Sequence, residues 1–216
     1  KACQFAPSRR GRADRLNWPP RASPVVTVRF KVSACIADHI GDRTEQQDRV
    51  ALLTSQRNPG TLLAVVADGM GGRTGGRMAS DQVISTANSL FQETAARDDE
   101  LRALLQQIAA EAHTVIRLTA LSSEKEPHST IVALLVRRHY AIWAHAGDSR
   151  LYLFRGGRLL RRTDDQTYAH HLRSEGKMAE AEAAKERYKN ILVSALGIAR
   201  DPQVMIDEVK DLQVGD

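Results

Sequence analysis

Apolar residues follow two different periods along this chain. Val26, Val28 and Phe30 alternate with Thr27 and Arg29, and residues 32–36 extend the pattern toward a turn at Gly41-Asp42. Such alternation predicts a strand with one buried face. Residues 49–54 predict a second short strand, closed by Asn58-Pro59-Gly60. Residues 61–67 (TLLAVVA) form a continuous apolar run, long enough for a buried central strand and too short for an ordinary helix. That run ends in Asp68-Gly69-Met70-Gly71-Gly72.

The spacing then becomes helical. Met78, Ala79, Val83, Ile84, Ala87, Leu90 and Phe91 share one face of a helix predicted over 76–96. Leu101, Leu104, Leu105, Ile108, Ala112, Val115 and Ile116 do the same over 98–121, with Asp98 and Asp99 suited to its amino end. Strands are predicted again over 130–137, 140–146, 150–155 and 158–162, the last two joined by Gly156-Gly157. Residues 164–190 are charged, Ala-rich and helical in part; 189–196 resume an apolar run, and 204–209 read as a strand. Strands, two helices, then strands predict an α+β fold with mainly antiparallel pairing. A two-sheet sandwich with outer helices suits this order.

Composition sharpens the picture in one place. The net charge of +5 rests on residues 1–24, where Lys1, Arg9, Arg10, Arg12, Arg15 and Arg21 face Asp14 alone; the remainder is neutral. This opening also holds Pro7, Pro19, Pro20 and Pro24 and no hydrophobic period, so it reads as a disordered basic extension before a domain over 25–216. A neutral body only 5% aromatic argues against nucleic-acid binding. No apolar stretch approaches the roughly 20 residues of a membrane span. Cys3 and Cys35 make no disulfide framework, so a reducing, cytoplasmic setting is expected.

Three groups of acids carry candidate chemistry. Asp68 stands where a buried strand meets glycine-rich chain, and Gly69 lets a backbone carbonyl approach beside the carboxylate. Hard cations such as Mg²⁺ and Mn²⁺ favour oxygen donors of this kind. Taken alone, an Asp-Gly pair reads more often as a turn. Arg43 precedes Asp48 in the segment GDRTEQQD, a phosphate fork near an acid; alone, that segment reads as a solvated loop. Asp148 lies in the Gly147–Arg150 turn between apolar strands, which alone reads as a hairpin.

Together these stretches resemble the protein phosphatase 2C family, also called PPM-type phosphatases, in its bacterial form. GDRTEQQD, VVADGMGGRTGGRMAS, STIVALL, AHAGDSRLYLFRGGRL, TDDQTYAHHL and NILVSALG occur in family order over residues 32–216. The resemblance implies a four-layer αββα sandwich of two mainly antiparallel sheets flanked by helices. It implies that Asp68 bridges two Mg²⁺ or Mn²⁺ ions, joined by the Gly69 carbonyl and by Asp48. Arg43 would bind substrate phosphate, and Asp148 would serve a third ion. Hydrolysis of protein phosphoserine and phosphothreonine by a water activated between the metals would follow, without a phosphoenzyme. The implied partners are phosphorylated proteins, substrates of a Ser/Thr kinase, and the protein is expected to be a monomer.

The pattern also departs from the family. Gln47 takes a slot that is often Glu, Met70 one that is His in eukaryotic relatives, His128 one that is usually Gly, and Gln166 one that is commonly His. The His170-His171 pair reads as a polar pair in the flap region. Family members carry an SDG segment just beyond the match to Gly215-Asp216, and later a DN segment; each supplies a metal-binding aspartate. A partial domain is therefore expected. The rival reading is a non-catalytic pseudophosphatase that binds a phosphoprotein.

Overall fold

The helix-facing core is built from alternate residues of three strands. β1 (Asp48–Thr54), β2 (Thr61–Met70), β4 (Ile131–Arg137), β5 (Tyr140–Ala146) and β8 (Met205–Val209) pair antiparallel in the order β1-β2-β4-β5-β8, and the short β3 (His128–Ser129) pairs with the far end of β2. Leu63, Val65 and Ala67 of β2 share a face with Ile131, Ala133 and Leu135 of β4 and with Ile142, Ala144 and Ala146 of β5. Against that face lie α1 (Gly72–Glu93) and α2 (Leu101–Leu121), which bring Val83, Phe91, Leu105, Ile108 and Ile116 into the same core. Each large apolar side chain so buried contributes about 1.5–3 kcal/mol. The computed structural model describes residues 31–122, 126–188 and 191–216.

The α+β class stands, with two long helices over one face of an antiparallel sheet. The second layer of strands is slight among the described residues: β6 (Tyr152–Arg155) and β7 (Arg158–Arg162) form a separate two-stranded hairpin. Two short helices follow, α3 (Tyr168–Ser174) and α4 (Met178–Arg187). The sheet face turned away from α1 and α2 is in part open, with Val66 41% exposed. No described helix is long and apolar enough to cross a membrane.

Several sequence expectations are corrected. The strand expected over 32–36 is absent; this stretch is exposed and makes no ladder, since alternation cannot supply the neighbour that a strand requires. Its predicted first half, and the basic extension over 1–24, lie outside the described residues. β2 does not stop at Ala67 but runs through Asp68 to Met70, because β1 and β3 offer partners there. Asp98 does not cap α2; it pairs with Arg137 at 2.9 Å. The apolar run ending at Leu196, to which the sequence assigned no element, forms a crosspiece making isolated bridges, Thr167 to Leu192 and Ser129 to Leu196.

A buried polar knot closes the sheet end remote from Asp68. Asn58, 1% exposed, donates to the carbonyls of Phe91 (3.0 Å) and Thr94 (2.6 Å) and accepts from the amide of Ala96 (3.0 Å). Arg137 donates to the Ala96 carbonyl (2.9 Å) and to Asn58 Oδ1 (3.3 Å). An alanine at 58 removes the side-chain partner of the Phe91 and Thr94 carbonyls and of the Ala96 amide. Asn58→Ala is expected to lower unfolding free energy by about 2–4 kcal/mol in urea titration, against about 0.5 kcal/mol or less for an exposed control such as Gln106→Ala.

Candidate active site

Strand register creates the central feature. Asp48 opens β1 and lies directly opposite Asp68 in β2. By strand alternation both project on the face away from α1 and α2, the face of Val66 and Ala64. Burial pushes the Asp68 carboxyl up, and the charge of Asp48 and a hydrogen bond with it push further, to about 6. Asp148 adds to this rise, and Arg43 opposes it.

The backbone of Asp68 is held on one side by hydroxyls. Its amide donates to Thr130 Oγ1 (3.0 Å), while its carbonyl accepts from the Thr130 amide (2.9 Å) and Ser129 Oγ (3.2 Å). Thr130 Oγ1 also shares a hydrogen bond with Ser149 Oγ at 2.7 Å, which ties Asp68 to the turn carrying Asp148. That turn is clamped by Gln166, whose side-chain Oε1 accepts from the Gly147 amide (2.8 Å) and whose backbone N–H donates to the Gly147 carbonyl (3.0 Å). Gly147 has φ +108°, and a Cβ there would stand 2.6 Å from Thr130 Cγ2, so the tight approach requires glycine. Burial raises the Asp148 carboxyl above its ordinary range.

The loop over 41–48 is tied to α1. Arg49 donates to the carbonyls of Gln46 (3.1 Å) and Asp48 (2.8 Å) and pairs with Asp81. The Gln47 carbonyl accepts from the Gly69 amide (3.2 Å) and Ser80 Oγ (2.6 Å), while its side chain donates to the Gly72 carbonyl (3.0 Å). Arg43 is exposed. Arg43, Asp48, Asp68, Gly69 and Asp148 all border one cavity of about 640 Å³, together with Met70, Ile40 and Leu192. The structure thus brings together all five residues singled out in the sequence.

Their chemistry fits a hard divalent cation. Two carboxylates facing one another favour keeping a proton between them, and a divalent cation placed there would satisfy both when ionised. Among the described residues, no group of three or more His, Cys, Asp and Glu side chains is placed to hold a metal, so the opposed pair Asp48 and Asp68 is the acid grouping the cavity offers. Gly69 meets α1 closely: a Cβ on Gly76 would lie 2.6 Å from the Gly69 carbonyl oxygen.

Sequence reasoning assigned no task to Ser129, Thr130, Ser149 or Arg49, and read Gln166 only as a departure. The signal was present for four of these five, which lie in the STIVALL, GDSR and TDDQ stretches. His170 and His171 sit on α3 and border a different cavity, of about 510 Å³, together with His145.

The raised Asp68 carboxyl has a signed consequence. Between the ordinary value of 3.8 and about 6, the folded chain holds a proton that the unfolded chain has released. This group therefore favours folding in acid, and its contribution is lost as pH rises through 6. A divalent cation binding the ionised pair reverses the sign. The rise in melting temperature given by Mn²⁺ is expected to be several degrees at about pH 7.5 and near zero at about pH 5, read by differential scanning fluorimetry. Asp48→Asn removes one of the two charges and should return the Asp68 titration toward the ordinary carboxylate range in carboxyl ¹³C NMR.

Comparison with known proteins agrees with this geometry. The family model described as protein phosphatase 2C matches residues 37–201. A serine/threonine phosphatase, stp, of Listeria welshimeri is 32% identical over 141 residues, covering 63% of this chain and 56% of that protein. The Mycobacterium tuberculosis serine/threonine protein phosphatase PstP is 31% identical over 157 residues, covering 70% of this chain and 30% of that one. The chain thus spans about half the length, or less, of these relatives. Among solved structures, the S. agalactiae serine/threonine phosphatase superposes with a TM-score of 0.70 at 30% identity, covering 79% of this chain and 70% of that one. An acid pair set by register, a clamped Asp148 turn and a family match over three quarters of its length make one conclusion plain: the chain belongs to the protein phosphatase 2C family.

Proposed function

We propose that the protein hydrolyses phosphoserine and phosphothreonine in other proteins, with Asp48, Asp68 and the Gly69 carbonyl holding two Mg²⁺ or Mn²⁺ ions. Asp148 would serve a third. The observation that carries this reading is the opposition of Asp48 and Asp68 on the rim of a cavity that also holds Arg43. A phosphate dianion entering beside these acids and one arginine is repelled unless cations intervene. Bound divalent ions supply Lewis acidity to the phosphoryl oxygens and lower the pKa of nearby water.

The chain's own residues then have separable tasks. Arg43 offers a planar fork to two phosphoryl oxygens and fixes the orientation of the ester. Thr130 and Ser129 fix the backbone of Asp68, so its carboxylate needs no reorganisation as charge develops. Met70, a thioether beside Asp68, has no proton to give to the leaving alkoxide. The similar proteins are named serine/threonine phosphatases, which supports phosphorylated proteins, products of a Ser/Thr kinase, as the substrate class. A purely phosphoprotein-binding module is the weaker reading, since a binder gains nothing from two opposed acids beside its phosphate.

Hydrolysis of p-nitrophenyl phosphate and of a phosphothreonine peptide should require Mn²⁺ or Mg²⁺ and stop with EDTA. Asp68→Asn should abolish it, and Arg43→Ala should lower kcat/KM by about 10²–10³-fold. Undiminished turnover by Asp68→Asn would end this assignment.

A further inference from the structure

We propose that His113 is a positioning residue: as a neutral imidazole it pins residues 191–197 across the strand ends that carry Asp68 and Asp148, and it releases them on protonation. The proposal rests on the phosphatase reading for its effect on rate, and on geometry for the latch itself.

The crosspiece over 191–197 touches each part of the site. Leu192 borders the same cavity as Asp48 and Asp68. The Val193 amide donates to the carbonyl of Gln166 (2.8 Å), the residue that clamps the Asp148 turn. Leu196, fully buried, exchanges two backbone hydrogen bonds with Ser129 (2.8 and 3.1 Å), and Ser129 Oγ reaches the Asp68 carbonyl. The next residue, Gly197, ends the crosspiece in a wedge. Its φ is +87°, and a Cβ there would stand 2.5 Å from both Ile116 Cγ2 and the Pro127 carbonyl oxygen.

His113 supplies the acceptor at that wedge. It lies on α2, 5% exposed, and its Nδ1 accepts from the Gly197 amide at 3.0 Å. This bond requires Nδ1 to be bare, so the ring proton resides on Nε2. Nε2 is buried without a hydrogen-bond partner among the described residues; the Asp201 carboxylate stands 3.9 Å away. A second proton on the ring would set Nδ1–H against the Gly197 N–H, two donors face to face, and the bond is lost. Burial and then the Arg117 charge hold the imidazole below its usual range, while Asp201 opposes them. The latch is therefore closed above the ordinary histidine range and opens as pH falls below it.

The Asp68 carboxyl also titrates on the acid side of neutrality, so the wild-type rate profile alone does not decide the matter. The decisive comparison uses His113→Asn, whose Oδ1 branches from Cγ as Nδ1 does and accepts without titrating, and His113→Leu, which cannot accept. Amide hydrogen exchange by ¹⁵N NMR on the 216-residue chain, corrected for intrinsic rates, reads the latch directly. Wild type should lose about tenfold of its protection at Gly197 and Leu196 between about pH 7.5 and the lowest pH at which the chain stays folded, the scale of one buried hydrogen bond. His113→Asn should hold its protection across that range, and His113→Leu should lack it at both ends. Equal protection in His113→Leu and wild type, or identical pH dependence in wild type and His113→Asn, overturns the proposal. If His113→Leu fails to fold, the wild-type and His113→Asn pair still decides. With Mn²⁺ and p-nitrophenyl phosphate, the acid limb of kcat should move to lower pH in His113→Asn. The exchange pattern without hydrolysis would keep the latch and reject the phosphatase reading; hydrolysis without the pattern would do the reverse.

Discussion

Two carboxylates of like charge are held opposite one another by a backbone ladder that neither of them stabilises. The register of β1 on β2 extends over seven residue pairs and ends at Asp48 and Asp68. A one-residue slip would send one acid to the helix-facing side, into the core of Leu63, Val65 and Ala67. That core therefore fixes the register, and the register fixes the acid pair. Burial of apolar side chains here determines where charge sits.

Glycine does the complementary work. A Cβ on Gly69 would lie 1.9 Å from the Gly76 carbonyl oxygen, and one on Gly71 would lie 2.2 Å from that of Glu126. No side chain fits either place without moving backbone. The glycines after Asp68 are thus contact residues as much as turn residues, letting the first turn of α1 press against the strand end. The same contact lets Gln47 reach α1 with both its carbonyl and its amide. In the family pattern an acid often stands at position 47; here its neutral amide braces the loop against α1.

What could be read from the sequence divides along physical lines. Periodicity located β1, β2, β4, β5 and both long helices to within a few residues, because each buries one face in a shared core. It failed where a partner decides the outcome. Residues 32–36 alternate correctly but have no neighbour, and the apolar stretch ending at Leu196, left without an element, is a crosspiece whose bonds go to Ser129 and Gln166. Asp98 was read as a local helix signal and is instead the partner of Arg137, 39 residues away. For the site, motif resemblance chose five residues that border one cavity. The hydroxyls of Thr130 and Ser149 lie within those motifs, but their task was not legible there, since it depends on their meeting one another and the Asp68 amide.

The two ends of the sheet divide the labour. At one end, Asp68 is raised by burial and then by Asp48, an arrangement that works against the fold near neutral pH when no cation is present. At the other end, Asn58, Thr61, Ala96 and Arg137 form a knot in which polar groups are paired. β2 and β4 run the full distance between them, from Thr61 opposite Arg137 to the Asp68–Thr130 contact. An acid pair that resists its own ionisation can be kept in register only by a scaffold whose cohesion lies elsewhere, and in this chain that cohesion lies in the helix-covered core and the knot beyond it.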